Sequence, residues 1–173
     1  MNRPHSLNNK LMYIALLAAL ILSGCSQGQK LPFETIATGE GFATGQSYGR
    51  EEPDFLIITR PEEVDAPGLE VQFPSMLADQ MRALDYHRSF ALVVFHGSTT
   101  AQSPENPVDI RQITRNGDKV ALKTYFGGSW ILPAYSSPYH IVTVSKEGKW
   151  AQNINFVLEV DGKEVKEHIY FIP

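Results

Sequence analysis

The chain has 173 residues, 15 lysines and arginines against 19 aspartates and glutamates, a formal charge of −4 at pH 7 and one cysteine. That balance supplies no basic field for a phosphate backbone, and no run of Lys or Arg is long enough to suggest nucleic acid or an anionic lipid surface. A single cysteine leaves no intramolecular disulfide and no thiolate-rich metal site.

At the N-terminus, Arg3 and Lys10 precede an uncharged stretch from Leu11 to Leu22, and small residues lead into Cys25. This is the three-part pattern of a secretory signal. At ~1.5 Å per residue the uncharged stretch spans about 18 Å as a helix, short of the roughly 30 Å hydrocarbon core. Leu22-Ser23-Gly24-Cys25 resembles the lipobox of bacterial lipoproteins. The resemblance implies diacylglycerol on the Cys25 sulfur, cleavage after Gly24 and a further acyl chain on the new amino terminus. Two or three acyl chains make a stable anchor where one holds only marginally. The competing readings are an ordinary secretory signal that ends beside a free cysteine and an uncleaved membrane helix.

Loss of residues 1–24 removes Arg3 and Lys10 but no acid, leaving 13 basic residues against 19 acidic and a formal charge of −6. Ser26 stands where an Asp resembles the signal for inner-membrane retention in Gram-negative bacteria, so the outer membrane is expected where there are two membranes. The expected layout is a signal peptide at 1–24, a lipidated tether at 25–30 and a single β-rich globular domain at 31–173, with the ordered part starting near Leu31.

Glu34 to Gly49 mixes Thr, Ser and glycine with isolated aromatics and reads as an irregular strand or loop pair. Phe55-Leu56-Ile57-Ile58-Thr59 is apolar and β-branched and reads as a buried strand stopped by Pro61. Pro61 to Pro74 is mostly loop, with one turn around Glu62 to Asp65. Ser75 can cap a short helix whose apolar stripe is Leu77, Met81 and Leu84. Phe90 to Phe95 is continuously apolar, the pattern of a central strand buried on both faces. Asn116-Gly117 predicts a hairpin between Val108–Thr114 and Val120–Phe126, and Asp161-Gly162 a second between Ile154–Val160 and Lys163–Ile172. In that second hairpin Phe156, Leu158 and Val160 share a face, with Val165 on the partner strand. Tyr139 to Val144 is a further strand. The fold class is therefore mainly β (α+β): an antiparallel sheet or compact β-sandwich of about six to eight strands with one short helix.

Asp85-Tyr86-His87-Arg88-Ser89 leads into the Phe90–Phe95 run and His96-Gly97, and after a polar loop and a hairpin comes Ser137-Pro138-Tyr139-His140-Ile141-Val142-Thr143-Val144. Over roughly residues 85–146 this resembles the PrcB C-terminal domain family, named for an accessory lipoprotein subunit of a secreted bacterial protease complex. Many members are small lipoproteins, in keeping with Cys25. Where that family carries Gly-Gly-Tyr after its first strand, this chain has Ala101-Gln102-Ser103-Pro104-Glu105-Asn106-Pro107. The resemblance implies a non-enzymatic accessory role beside a secreted protease. In a protease-inhibitor variant, the loops Gly97–Pro107 and Gly127–Tyr135 would enter a cleft.

Candidate chemistry is sparse. Ser98 after His96-Gly97 does not make Gly-x-Ser-x-Gly. His87, His96, His140 and His168 stand singly, without the spacing that puts two nitrogens on one ion, and read as solvated or hydrogen-bonded groups. Glu51, Glu52, Asp54, Glu62 and Glu63 cluster in sequence and read as a solvated rim or edge-strand protection. The unusual segment is Phe126 to Tyr139, where Gly127 and Gly128 precede Trp130 and Tyr135. Such aromatics on a glycine loop suit a protein partner or a sugar ring. The competing reading is that Trp130 and Ile131 close one end of the sheet. The function expected is a lipid-anchored binding or accessory protein without catalytic residue, metal or cofactor. The alternative is a carbohydrate-binding or envelope-structural lipoprotein.

Overall fold

The strand β4 (Ser89–Phe95) sets the architecture, because all its residues from Phe90 to Phe95 are buried and successive side chains point to opposite faces. Phe90, Leu92 and Val94 need one apolar partner layer, and Ala91, Val93 and Phe95 need another. In the computed structural model the described residues are 28–42, 52–65, 73, 75–97, 99–102, 108–127 and 130–173, of which 40–42, 99–102 and 130–137 are described as backbone.

Around β4 the remaining elements are β1 (Gln29–Lys30), β2 (Phe33–Phe42), β3 (Asp54–Ile58), a 3-10 turn at Pro61–Asp65 and α1 (Ser75–Arg82). After it come β5 (Thr99–Gln102), β6 (Val108–Asn116), β7 (Lys119–Phe126), β8 (Trp130–Ser145), β9 (Gln152–Val160) and β10 (Lys163–Ile172). They form two sheets. The first has the order β1-β6-β7-β9-β10, and the second β2-β8-β4-β3 with β5 added alongside β8. Every pairing is antiparallel except β7 with β9. The fold is mainly β with one α-helix among the described residues.

The main core lies between the sheets. Phe55, Phe90, Leu92, Val94, Val142 and Val144 of the second sheet meet Ile110, Val120, Leu122, Ile154, Phe156 and Leu158 of the first. Phe156 is edge-on to Phe90 at 5.8 Å, and Phe90 edge-on to Trp150 at 5.4 Å. The second layer is the one required by the other face of β4: Ala91, Val93, Phe95 and Ile141 pack under Val64, Leu77, Ala78 and Met81. Thus the helix stripe is Leu77, Ala78 and Met81, with Leu84 half-buried just beyond the last turn. Glu63 fixes the 3-10 turn to β3, since its carboxylate accepts the Thr59 N–H at 2.7 Å and the Arg60 Nη2 at 2.9 Å.

β1 and β5 lie beyond the strands read in the sequence, and β2 replaces the irregular strand or loop pair expected from Glu34. Gln29 and Lys30 pair with Arg115 and Thr114, so the sheet starts two residues before the expected Leu31. β2 is one continuous strand along β8, where an irregular segment was expected, with a bulge between Thr35 and Ala37. Its Gly39 is explained by its cross-strand partner Tyr139, whose Oη would lie 2.5 Å from a Cβ at that position. The chain passes from the first sheet to the second over Leu31-Pro32. There the Leu31 N–H donates to Ile113 O, and Pro32 O accepts the Ser145 N–H.

Both hairpins form, with one shift. The first turns on Gly117-Asp118, because Asn116 pairs with Lys119, and only Gly117 has positive φ, 63°. One glycine at the first central position suffices for such a turn, so Asn116 stays in the strand. The second turns on Asp161 and Gly162, with φ of 50° and 79°. Val165 does not join the inner face. A bulge between Glu164 and Lys166 displaces it, and Lys166, His168, Tyr170 and Ile172 take the inner positions opposite Leu158, Phe156, Ile154 and Gln152.

Candidate functional site

Four chain segments converge where β4 ends beside the middle of β8, with Phe95 paired to Tyr139. His96 leaves β4 with its N–H donated to Pro138 O at 2.9 Å, and Gly97 turns the chain with φ 86°. The His96 ring stacks on Phe126 at 4.5 Å, at the end of β7, and both Gly97 and Gly127 are buried there. Beyond this point β5 pairs with the first half of β8, setting Thr99 opposite Ser136, Ala101 opposite Ile131 and Gln102 opposite Trp130. On the other side of β8, Ser136 pairs with Phe42 of β2. The segments 99–102 and 130–136, expected as loops, therefore form a paired ribbon extending the second sheet.

Of the residues singled out for partner binding, Gly127 is buried at the base of this ribbon, while Trp130 and Tyr135 lie on its backbone in β8. Gly128, Ser98 and Cys25 lie outside the described residues. Among the described residues His96 Nδ1 is buried without a hydrogen-bond partner. Burial pushes the His96 pKa below its ordinary value against the opposing pull of its own backbone and that of Gly97.

The other histidines are dispersed. His140, 4% exposed, faces the inter-sheet core. Its Nδ1 accepts the Ile110 N–H of the opposite sheet at 3.1 Å, and its Nε2 lies 3.0 Å from Thr35 Oγ1. Acceptance at Nδ1 places the proton on Nε2, which donates to the threonine. Burial lowers the His140 pKa, and Asp109 opposes that shift. His168 Nε2 is 2.8 Å from Asp54 Oδ1, closing the side of the sandwich where β10 and β3 are outermost. His87 is exposed.

Among the described carboxylates of the Glu51–Glu63 group, Asp54 and Glu63 are engaged by His168 and by Thr59 with Arg60. Burial would raise the Glu63 pKa, but the hydrogen bonds from Thr59 and Arg60 outweigh it and hold the group below its ordinary value. No three His, Cys, Asp or Glu side chains gather as a metal site among the described residues.

Sequence reasoning missed two features: the His140 bridge between the sheets and the exposed side chains of β10. The second had a signal in Ile169-Tyr170-Phe171-Ile172, a run apolar on both faces of a strand whose other half is charged on both. No family model, curated protein or solved structure matches this chain.

Proposed function

We propose that this chain is a lipid-anchored extracytoplasmic binding or accessory protein, held in a bacterial envelope by acyl chains on Cys25. The observation that carries the reading is Leu22-Ser23-Gly24-Cys25 directly after an uncharged stretch too short to cross a bilayer. The start of β1 at Gln29 supports a short tether, because four residues reach at most about 14 Å and the sandwich then rides close to the membrane surface. Action by binding is supported by the use of the polar groups: both His140 nitrogens, Asp54, Glu63 and His168 are committed to holding the sheets and the 3-10 turn together.

The partner class, a secreted protease or its assembly, comes from the resemblance to the PrcB C-terminal domain. The docking element is the β5–β8 ribbon with Gly127, Trp130 and Tyr135. Residues 85–146 include β4 to β8 and so contribute strands to both sheets, with β1 to β3 and β9 to β10 completing them. Metabolic labelling with palmitate tests the anchor. Label in the wild-type chain and none in Cys25→Ser is expected, and an unlabelled wild-type chain in a host with working lipoprotein processing refutes it. Affinity isolation from detergent-solubilised membranes tests the partner: a secreted protease recovered with the wild type and lost with Trp130→Ala/Tyr135→Ala is expected, and its absence overturns the accessory role.

A further inference from the structure

Among the described residues β10 is the outermost strand of the first sheet, and it carries three of the five exposed large hydrophobic side chains. Ile169 is 71% exposed and Phe171 58%, both on the face away from the core, opposite Asn155 and Asn153. The two halves of the strand treat their edge differently. The first half has the devices that block edge pairing: Lys163, Glu164, Lys166 and Glu167, the bulge at Val165, and an ion pair from Glu164 to Lys119 at 2.6 Å. The second half, Ile169-Tyr170-Phe171-Ile172, has no charge and no bulge. It is also held firmly from behind, with Tyr170 6.2 Å from Phe55 and 6.0 Å from Phe156, and Ile172 fully buried.

We propose that the second half of β10 is a dimerisation edge that pairs antiparallel with β10 of a second copy of this chain, about a twofold axis at Tyr170. The charge pattern selects this occupant and this register. In antiparallel pairing, directly opposed side chains share a face about 4.5–5.5 Å apart, and a twofold axis makes the contact self-complementary. An axis at Tyr170 sets Ile169 against Phe171 of the second copy and Phe171 against its Ile169, so all four exposed apolar chains meet each other. An axis at Ile169 sets Phe171 against the Glu167 carboxylate, one at His168 sets Ile169 against it, and one at Glu167 sets two carboxylates against each other. An axis at Phe171 pairs Phe171 with its own copy but leaves Ile169 opposite Pro173, so the Ile169–Phe171 contacts are lost. The charged first half thus excludes slipped registers while the apolar second half supplies the attraction. The inference is independent of Cys25 acylation.

Sedimentation equilibrium of the full chain in density-matched detergent tests it through a charge swap. The wild type is expected to be a reversible dimer, and Ile169→Lys and Phe171→Glu each to weaken dimerisation at least tenfold. The double variant carrying both substitutions should regain the dimer, because the Tyr170 axis sets each new charge against the opposite one. Both positions are solvent-exposed, so the circular dichroism of the single variants should match the wild type. Should a charged variant not fold, oxidative cross-linking replaces it: Tyr170→Cys is expected to form a disulfide-linked pair above the wild-type Cys25 background, and His168→Cys is not. A wild type that is monomeric at every concentration overturns the proposal. So do a double variant as dissociated as the single ones, cross-linking of His168→Cys in preference to Tyr170→Cys, or a monomer that adds a strand from a different protein at β10.

Discussion

Replacing His140 with Phe separates two consequences of burying a neutral imidazole between the sheets. The ring is 4% exposed and a phenyl ring keeps most of its packing, but Ile110 loses the acceptor for its N–H. A buried donor left without a partner costs about 1–3 kcal/mol, the destabilisation expected at pH 7.5. Acidification should then narrow the gap. In the unfolded chain the imidazole titrates at its ordinary 6.5, whereas burial holds the folded-state value lower. Between those two values the unfolded state binds more protons, so the stability that His140 contributes is complete above 6.5 and is lost as the pH falls towards the folded-state value.

One such group contributes a slope of up to about 1.4 kcal/mol per pH unit. His96 is shifted the same way, so the wild type should lose stability with acid more steeply than His140→Phe, by at most the slope of one group. Glu63 and Asp65, both lowered from ordinary values of 4.5 and 3.8, titrate below this window. Urea unfolding at intervals from pH 7.5 to 5.0, followed by tryptophan fluorescence with the urea dependence held common, reads both slopes. A variant that keeps the full wild-type slope, or a gap that widens with acid, refutes the bridging account.

Phe156→Ala should cost about 3–5 kcal/mol, because it opens a cavity at the meeting point of Phe55, Phe90 and Tyr170; a lower urea midpoint at unchanged slope checks it. Gly39→Ala places a Cβ against the Tyr139 ring and should lose about 1–3 kcal/mol by overpacking, measured as a fall in thermal midpoint. Gly162→Ala meets no atom within 4 Å, so its expected loss of about 1–2 kcal/mol comes from φ of 79° alone and should appear equally in urea and thermal unfolding.

The elements read most clearly in the sequence are those whose cause is local. Asp161-Gly162 adopts the backbone that its turn demands, and the unbroken run Phe90–Phe95 reports a strand covered on both sides because its composition leaves no polar face. Causes distant in sequence were not legible. Gly39 looks like a strand breaker until Tyr139 is seen lying over it, and the role of His140 depends on an Ile110 N–H in the other sheet. Val165 follows period-2 alternation from Val160, but a single extra residue at the bulge reverses the phase, and nothing in Lys163-Glu164-Val165-Lys166 announces it. Of the candidate site, the glycine and aromatic segment was visible as an oddity. Its union with 99–102 was not, because β5 is too short to show a period.

The parallel contact between β7 and β9 has a kinetic side. These strands are neighbours in one sheet, yet the chain between them visits the opposite sheet as β8. Each hairpin can zip early on its own nearby turn, but the two cannot be welded side by side until the intervening strand has found its slot against β4. The rate of reaching the native state should therefore follow the capture of Tyr139–Val144 rather than the closure of either turn, and a partly made protein waiting for that capture would show two ready hairpins with a bare flank between them.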